Sequence, residues 1–120
     1  MYNIMKINIL VATFCLFMSS LTGQVVTQTY RVNGDCEMCK KTIELACYSV
    51  KGVKKAVWNT DSLQLTVTFD SLKTNRTVIL QRVAQKGYDT ELIKADDKTY
   101  NNLTKCCQYD RKRITIIEKQ

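Results

Sequence analysis

Val32-Asn33-Gly34-Asp35-Cys36-Glu37-Met38-Cys39-Lys40-Lys41 places two cysteines three apart where a strand-like run gives way to a helix-like one. Before it, Val25 to Val32 reads as a strand with Val26, Tyr30 and Val32 on its apolar side. Asn33-Gly34-Asp35 is turn chemistry. After it, Ile43, Ala46, Cys47 and Val50 recur at the spacing of one helix face, predicting a helix from about Glu37 to Val50. Cys36 then falls just before this helix and Cys39 in its first turn, where unpaired N–H groups and the macrodipole favour negative charge. Lys40 and Lys41 add positive charge nearby, so both thiols are expected to ionise below the free value of about 8.5.

The rest of the chain extends this unit. Lys51-Gly52 ends the helix, with Gly52 suited to a left-handed cap. Val53 to Asn59 is a second strand and Thr60-Asp61-Ser62 a hairpin turn. Leu63, Leu65, Val67 and Phe69 alternate with Gln64, Thr66 and Thr68, giving a third strand with one buried face. A second helix spans about Asn75 to Lys86, with Ile79, Leu80, Val83 and Ala84 inward, and Gly87 stops it. Tyr88 to Ile93 reads as a fourth strand. The order predicts an α+β, ferredoxin-like βαββαβ sandwich, two helices on one face of a four-stranded antiparallel sheet. Residues 95–120 fall outside it as a C-terminal extension. Ala95-Asp96-Asp97-Lys98 is linker-like, Tyr100, Leu103, Cys106-Cys107 and Tyr109 are anchors, and Ile114, Ile116 and Ile117 suit a short strand or a frayed tail.

At the N-terminus, Lys6 is the only charge before an apolar stretch from Ile7 to Met18, followed by Ser19, Ser20, Leu21, Thr22 and Gly23. This is the layout of a secretory signal peptide. The apolar run is shorter than the roughly 20 residues of a membrane span, and bulky Phe14 precedes Cys15, where a lipidated cysteine wants a small neighbour. Cleavage is expected between Gly23 and Gln24, leaving residues 24–94 as the domain. It implies export, to the periplasm or outside the cell, with no stable membrane insertion. Losing Lys6 from 18 basic residues leaves 17 against 11 acidic ones. They are scattered, the densest run being Arg111-Lys112-Arg113, which reads as a solvated basic surface and not as a nucleic-acid face.

Five cysteines follow residue 23, and the chain has no histidine. That removes the commonest metal ligand and the usual base of a catalytic triad. No carboxylate pair or phosphate loop appears either, and the chain is read as a binding protein and not an enzyme. Two converging thiolates select a soft ion, first Cu(I), then Zn(II), Cd(II) or Hg(II). A thiol–disulfide carrier or a permanent disulfide uses the same Cys-x-x-Cys pair. A thioredoxin-like carrier wants a cis-proline opposite its thiols, and this chain has no proline. Cys47, on the apolar helix stripe, reads as a small hydrophobe in the core. For Cys106-Cys107 three roles stay open: additional thiolate ligands closing the Cys36/Cys39 site, disulfide partners of that pair, or a contact with another chain.

The chain resembles the heavy-metal-associated domains of copper chaperones, of copper-transporting ATPases and of the periplasmic mercury-binding protein. The likeness covers about residues 26–94. It rests on the segment from Val32 to Cys39, on Val50-Lys51-Gly52-Val53, on Leu65-Thr66-Val67-Thr68-Phe69-Asp70, and on Lys86-Gly87-Tyr88-Asp89. It implies that Cys36 and Cys39 bind the ion and that Tyr88 packs near their loop. The implied task is to capture, buffer or hand on a soft ion, with a metal transporter or metal-accepting protein as partner and a monomer as the default. One departure stands out. The family usually reads Gly-Met-Thr-Cys, its Met packing under the loop. Here Gly34-Asp35-Cys36 is one residue shorter, and Met38 is the only nearby thioether, placed to fill that gap or to face solvent.

Overall fold

The computed structural model describes residues 24–112, so the expected signal peptide and the segment Ile114–Ile117 lie outside the described residues. Three strands form one antiparallel sheet: β1 (Val25–Arg31), β2 (Val53–Trp58) and β3 (Gln64–Asp70), with β3 in the middle. Val26 faces Phe69 and Tyr30 faces Leu65 across the β1–β3 ladder, while Ala56 and Trp58 face Val67 and Leu65 across β2–β3. Alternation does the sorting. Leu65, Val67 and Phe69 enter the core. Thr66 and Thr68 point the other way, where their hydroxyls meet those of Thr29 and Thr27.

Helix α1 (Glu37–Tyr48) buries Cys39, Ile43, Ala46 and Cys47, and helix α2 (Arg76–Gln85) buries Ile79, Leu80, Val83 and Ala84. All but Ala84 join one cluster with Tyr30, Leu65, Val67, Phe69 and Trp58. Helix α1 ends two residues before the expected Val50. Asn75 caps α2, its Oδ1 accepting from the Val78 N–H at 3.1 Å. Gly87 has a φ of +104° and follows the last turn of α2, as a terminating glycine should.

Two expected strand residues behave otherwise. Leu63 precedes β3 in the left-handed region (φ 59°), held by its N–H on the Asn59 carbonyl at 3.0 Å. The Asn59 side chain organises this turn by accepting from Asp61 and Ser62 N–H.

Among the described residues the expected fourth strand is absent, reduced to one isolated bridge between Val32 and Thr90. Two backbone bonds flank that bridge, Asn33 N–H to the Asp89 carbonyl (2.8 Å) and Glu91 N–H to the Arg31 carbonyl (2.9 Å). Extending the ladder would need Arg31 N–H on the Glu91 carbonyl. The Glu91 carboxylate takes that donor instead, at 2.7 Å, while also pairing with Arg76. Thr90 then turns the chain, its N–H and hydroxyl both donating to the Ile93 carbonyl. Side chains have taken the positions that a strand would have used.

The stretch after Ala95 packs back onto this unit. A short helix α3 (Asp97–Asn101) and a 3₁₀ turn (Lys105–Cys107) lead to Tyr109, and Cys107 and Tyr109 join the main core cluster.

Trp58 sits beneath the cysteine loop, with its indole N–H on the Val32 carbonyl at 2.9 Å. A Cβ at Gly34 would lie 2.9 Å from two atoms of its ring. Since the ring is buried and cannot retreat, Gly34→Ala is expected to destabilise the fold by about 1–3 kcal/mol, the usual range for overpacking. Urea denaturation of the two reduced proteins measures it.

Candidate metal centre

Cys36 is the N-cap of α1, extended (φ −135°, ψ 173°), and its carbonyl accepts the first helical bond from Lys40 N–H at 3.1 Å. Its side chain does not cap the helix, which leaves the sulfur free to face its neighbours. Cys39 lies in the first turn, fully buried beneath the loop. The two Sγ atoms are 3.4 Å apart, so the turn brings the expected pair together.

The tail delivers two more sulfurs. Cys36 Sγ lies 3.5 Å from Cys106 Sγ and 3.5 Å from Cys107 Sγ, and those two are 3.9 Å apart. Cys36, Cys106 and Cys107 form a group whose ligand atoms all lie within 4.8 Å of one another. All five described cysteines are free thiols. A tetrahedral ion with metal–sulfur bonds of about 2.3 Å spaces its sulfurs by about 3.8 Å. The separations among Cys36, Cys106 and Cys107 differ from that by a few tenths of an ångström, so these three thiols fit a soft ion, and Cys39 adjoins them through Cys36. Exposure is graded: Cys39 and Cys107 are buried, Cys36 is half-buried and Cys106 is exposed.

The electrostatics depart from expectation. Lys40 is turned away from the sulfurs, its ammonium on the Glu44 carboxylate and, at 3.0 Å, on the Trp58 carbonyl. Burial pushes the Cys36 thiol up, not down, with the neighbouring tail thiols adding to the rise and Cys39 opposing it. Burial and the Cys39 thiol likewise raise Cys107. Cys106 alone of the tail pair is lowered, by hydrogen bonds from the Thr104 hydroxyl and then from the Cys36 and Cys107 thiols. Cys47 lies in the core and is pushed up to about 12, chiefly by burial and then by the Glu44 charge.

Tyr88 is buried beside this cluster, burial and the Cys107 thiol raising its hydroxyl, and its ring stacks on Tyr109 at 5.9 Å. Met38 points outward, 53% exposed, its sulfur accepting from the Thr104 hydroxyl at 3.4 Å. It does not fill the place under the loop. Trp58 stands there, against Gly34.

Sequence reasoning named Tyr100 and Tyr109 as anchors of the tail but missed Arg111, Asp89 and Asn33, which hold it with them. Arg111 is not part of a solvated basic run. Its guanidinium grips Asp89 with two bonds (2.9 and 2.8 Å), reaches Asp97 at 2.7 Å and the Ala95 carbonyl at 2.7 Å, and lies over the Tyr100 ring. Tyr109 donates its hydroxyl to the Gly87 carbonyl and accepts from Asp89 N–H, both at 2.7 Å. Asn33, in the cysteine loop, donates to the Asp110 carbonyl at 2.9 Å. The signal available in sequence was the aromatic pair Tyr100 and Tyr109 beside the vicinal cysteines.

A model of the heavy-metal-associated domain matches residues 22–89, more than half of the chain. The chain therefore belongs to the heavy-metal-associated domain family. Among solved structures, the CopZ metallochaperone is 27% identical, with a TM-score of 0.53 over 54% of this chain and 98% of its own. Oxidized MerP from Ralstonia metallidurans CH34 is 32% identical, with a TM-score of 0.54 over 56% of this chain and 94% of its own. A copper binding domain from HMA7, a P-type ATPase, is 25% identical, with a TM-score of 0.52 over 53% of this chain and 88% of its own. A comparison with curated proteins finds no match. Cys106, Cys107 and Arg111 lie beyond the matched residues.

Thiolate is the reactive form, so a lowered and exposed thiol alkylates first and a raised, buried one last. In the reduced, metal-free protein near neutral pH, Cys106 is expected to take up iodoacetamide first and Cys47 last. Mass mapping of timed samples checks the order.

Proposed function

We propose that this chain is an exported carrier of a soft metal ion, taken up by Cys36 and Cys39 and enclosed by Cys106 and Cys107. The observation that carries the reading is the position of Cys36, whose sulfur stands within 3.5 Å of three other thiol sulfurs. Each thiol that ligates releases a proton, and the ion takes the place of the S–H contacts. Four sulfurs and no imidazole favour a thiophilic ion, Cu(I) before Zn(II) or Hg(II). Structural neighbours that include a metallochaperone and a copper binding domain support a soft-ion carrier. The chain does no bond-making chemistry on a substrate. It buffers the ion or passes it by thiol exchange to a metal transporter or another metal-accepting protein. Residues 1–23 have the layout of an export signal, and the carrier works in the periplasm or outside the cell.

The test is a Cu(I) titration of the reduced chain against a competing chelator under anaerobic conditions. Stoichiometric uptake is expected, with loss of at least about tenfold in affinity in Cys36→Ser and in Cys39→Ser, the order of one charge-assisted ligand contact. Wild-type protein that fails to compete, yet rapidly reduces a model disulfide, would assign the pair to thiol–disulfide exchange instead. Mass analysis of protein recovered from the producing cells reads the export proposal directly, a chain beginning near Gln24 supporting it and an intact Met1 opposing it.

A further inference from the structure

Two thiolates on an exposed turn make an open site. An incoming thiolate adds as a third ligand, a bond to one of the original sulfurs breaks, and the ion leaves. In this chain the positions that an incoming ligand would use are taken by the tail. Cys106 and Cys107 both lie 3.5 Å from Cys36, and Thr104 reaches across to Met38 on the outer side of the loop. An added ligand from outside competes with two thiols already held in place, at an effective concentration set by a short, docked chain.

The docking is anchored on both sides of the cysteines. Leu103 packs against Gly87, where a Cβ would come within 3.1 Å of it. Tyr109 stacks on Tyr88 and bridges Gly87 and Asp89. Arg111 closes the arrangement. It carries four hydrogen bonds, to Asp89, Asp97 and the Ala95 carbonyl, and its partner Asp89 is 3% exposed. A bidentate pair to a buried carboxylate fixes geometry as well as supplying energy. Arg111 is four residues beyond Cys107 and makes no hydrogen bond or ion pair to a sulfur.

We propose that residues 103–111 form a clamp in which Arg111 is the positioning residue: docked on Asp89, it holds Cys106 and Cys107 against Cys36, so that a captured ion exchanges slowly until the tail lifts. This rests on the capture reading above and adds its regulation. The exchange step is a ligand substitution without electron transfer. The acceptor's thiolate forms a metal–sulfur bond, a cysteine–metal bond breaks, and the released cysteine thiolate takes a proton from water. Release thereby becomes a property of tail docking, separable from affinity at Cys36 and Cys39. The family match ends at residue 89, which leaves the clamp as an addition to the shared unit.

The experiment loads the reduced protein with one equivalent of Cu(I) and mixes it anaerobically with excess bicinchoninate, following the rate at which the coloured chelate appears. The proteins compared are wild type, Arg111→Ala, Arg111→Lys, Cys106→Ser/Cys107→Ser and the triple variant with Arg111→Ala. The Cys106→Ser/Cys107→Ser protein is expected to release Cu(I) about tenfold faster than wild type, in line with loss of an intramolecular ligand. Arg111→Ala should approach that rate while still loading one ion per chain, Arg111→Lys should fall between, and the triple variant should be no faster than the double. If Arg111→Ala folds poorly, Arg111→Lys and the double variant carry the comparison. Wild-type rates in Arg111→Lys and in the double variant would overturn the clamp. So would an equal acceleration by Arg111→Ala in both backgrounds, since Arg111 would then act by general loosening. Failure of the wild type to load at all would strike the capture reading, and is seen before any rate is measured.

Discussion

Asp89 is the junction on which the arrangement of the site depends. Its carbonyl accepts from Asn33 in the cysteine loop, its N–H donates to Tyr109, and its carboxylate accepts from Ala95 N–H and from Arg111. One nearly buried residue thus ties the loop, the exit from α2 and the tail together. A buried carboxylate stripped of its cation is strongly unfavourable, which makes undocking of the tail an event with its own energetic threshold. The same residue sits beside the bridge between Val32 and Thr90, all that the described residues show of a fourth strand.

The sulfur cluster is built from two directions. Local structure supplies Cys36 and Cys39, because an N-cap and the third position of a helix turn their side chains toward each other. Tertiary packing supplies Cys106 and Cys107, across some seventy residues of chain. The graded exposure from Cys39 to Cys106 follows from this construction. The inner thiols belong to the core and the outer one to a surface turn. At Cys36 burial outweighs the helix terminus as an influence on thiol ionisation, and Lys40 does not change that balance because it is committed to Glu44.

Much of this was legible in the residues. Alternation in Leu65, Val67 and Phe69 placed the third strand, and the stripe of Ile43, Ala46 and Cys47 placed the first helix. The nearness of the Cys36 and Cys39 sulfurs was legible from spacing, and Cys47 as core from its place on the stripe. The fourth strand was misread because Tyr88 to Ile93 has strand-like composition, whereas Glu91 and Thr90 spend their side chains on backbone donors and acceptors that a ladder would use. Leu63 looked like the first member of its strand, but the Asn59 turn bends the chain there. The tail was the least legible part. No periodicity marks Tyr109 or Arg111, and a basic triplet near a terminus looks solvated until the buried carboxylate opposite it is known.

The single tryptophan of the chain lies under the loop that presents these sulfurs, with Gly34 on its ring and Val32 on its indole nitrogen. Whatever shifts that loop alters the surroundings of one fluorophore and no other of its kind. The protein thereby carries an intrinsic optical reporter at its centre, readable without a dye, a tag or a change of residue.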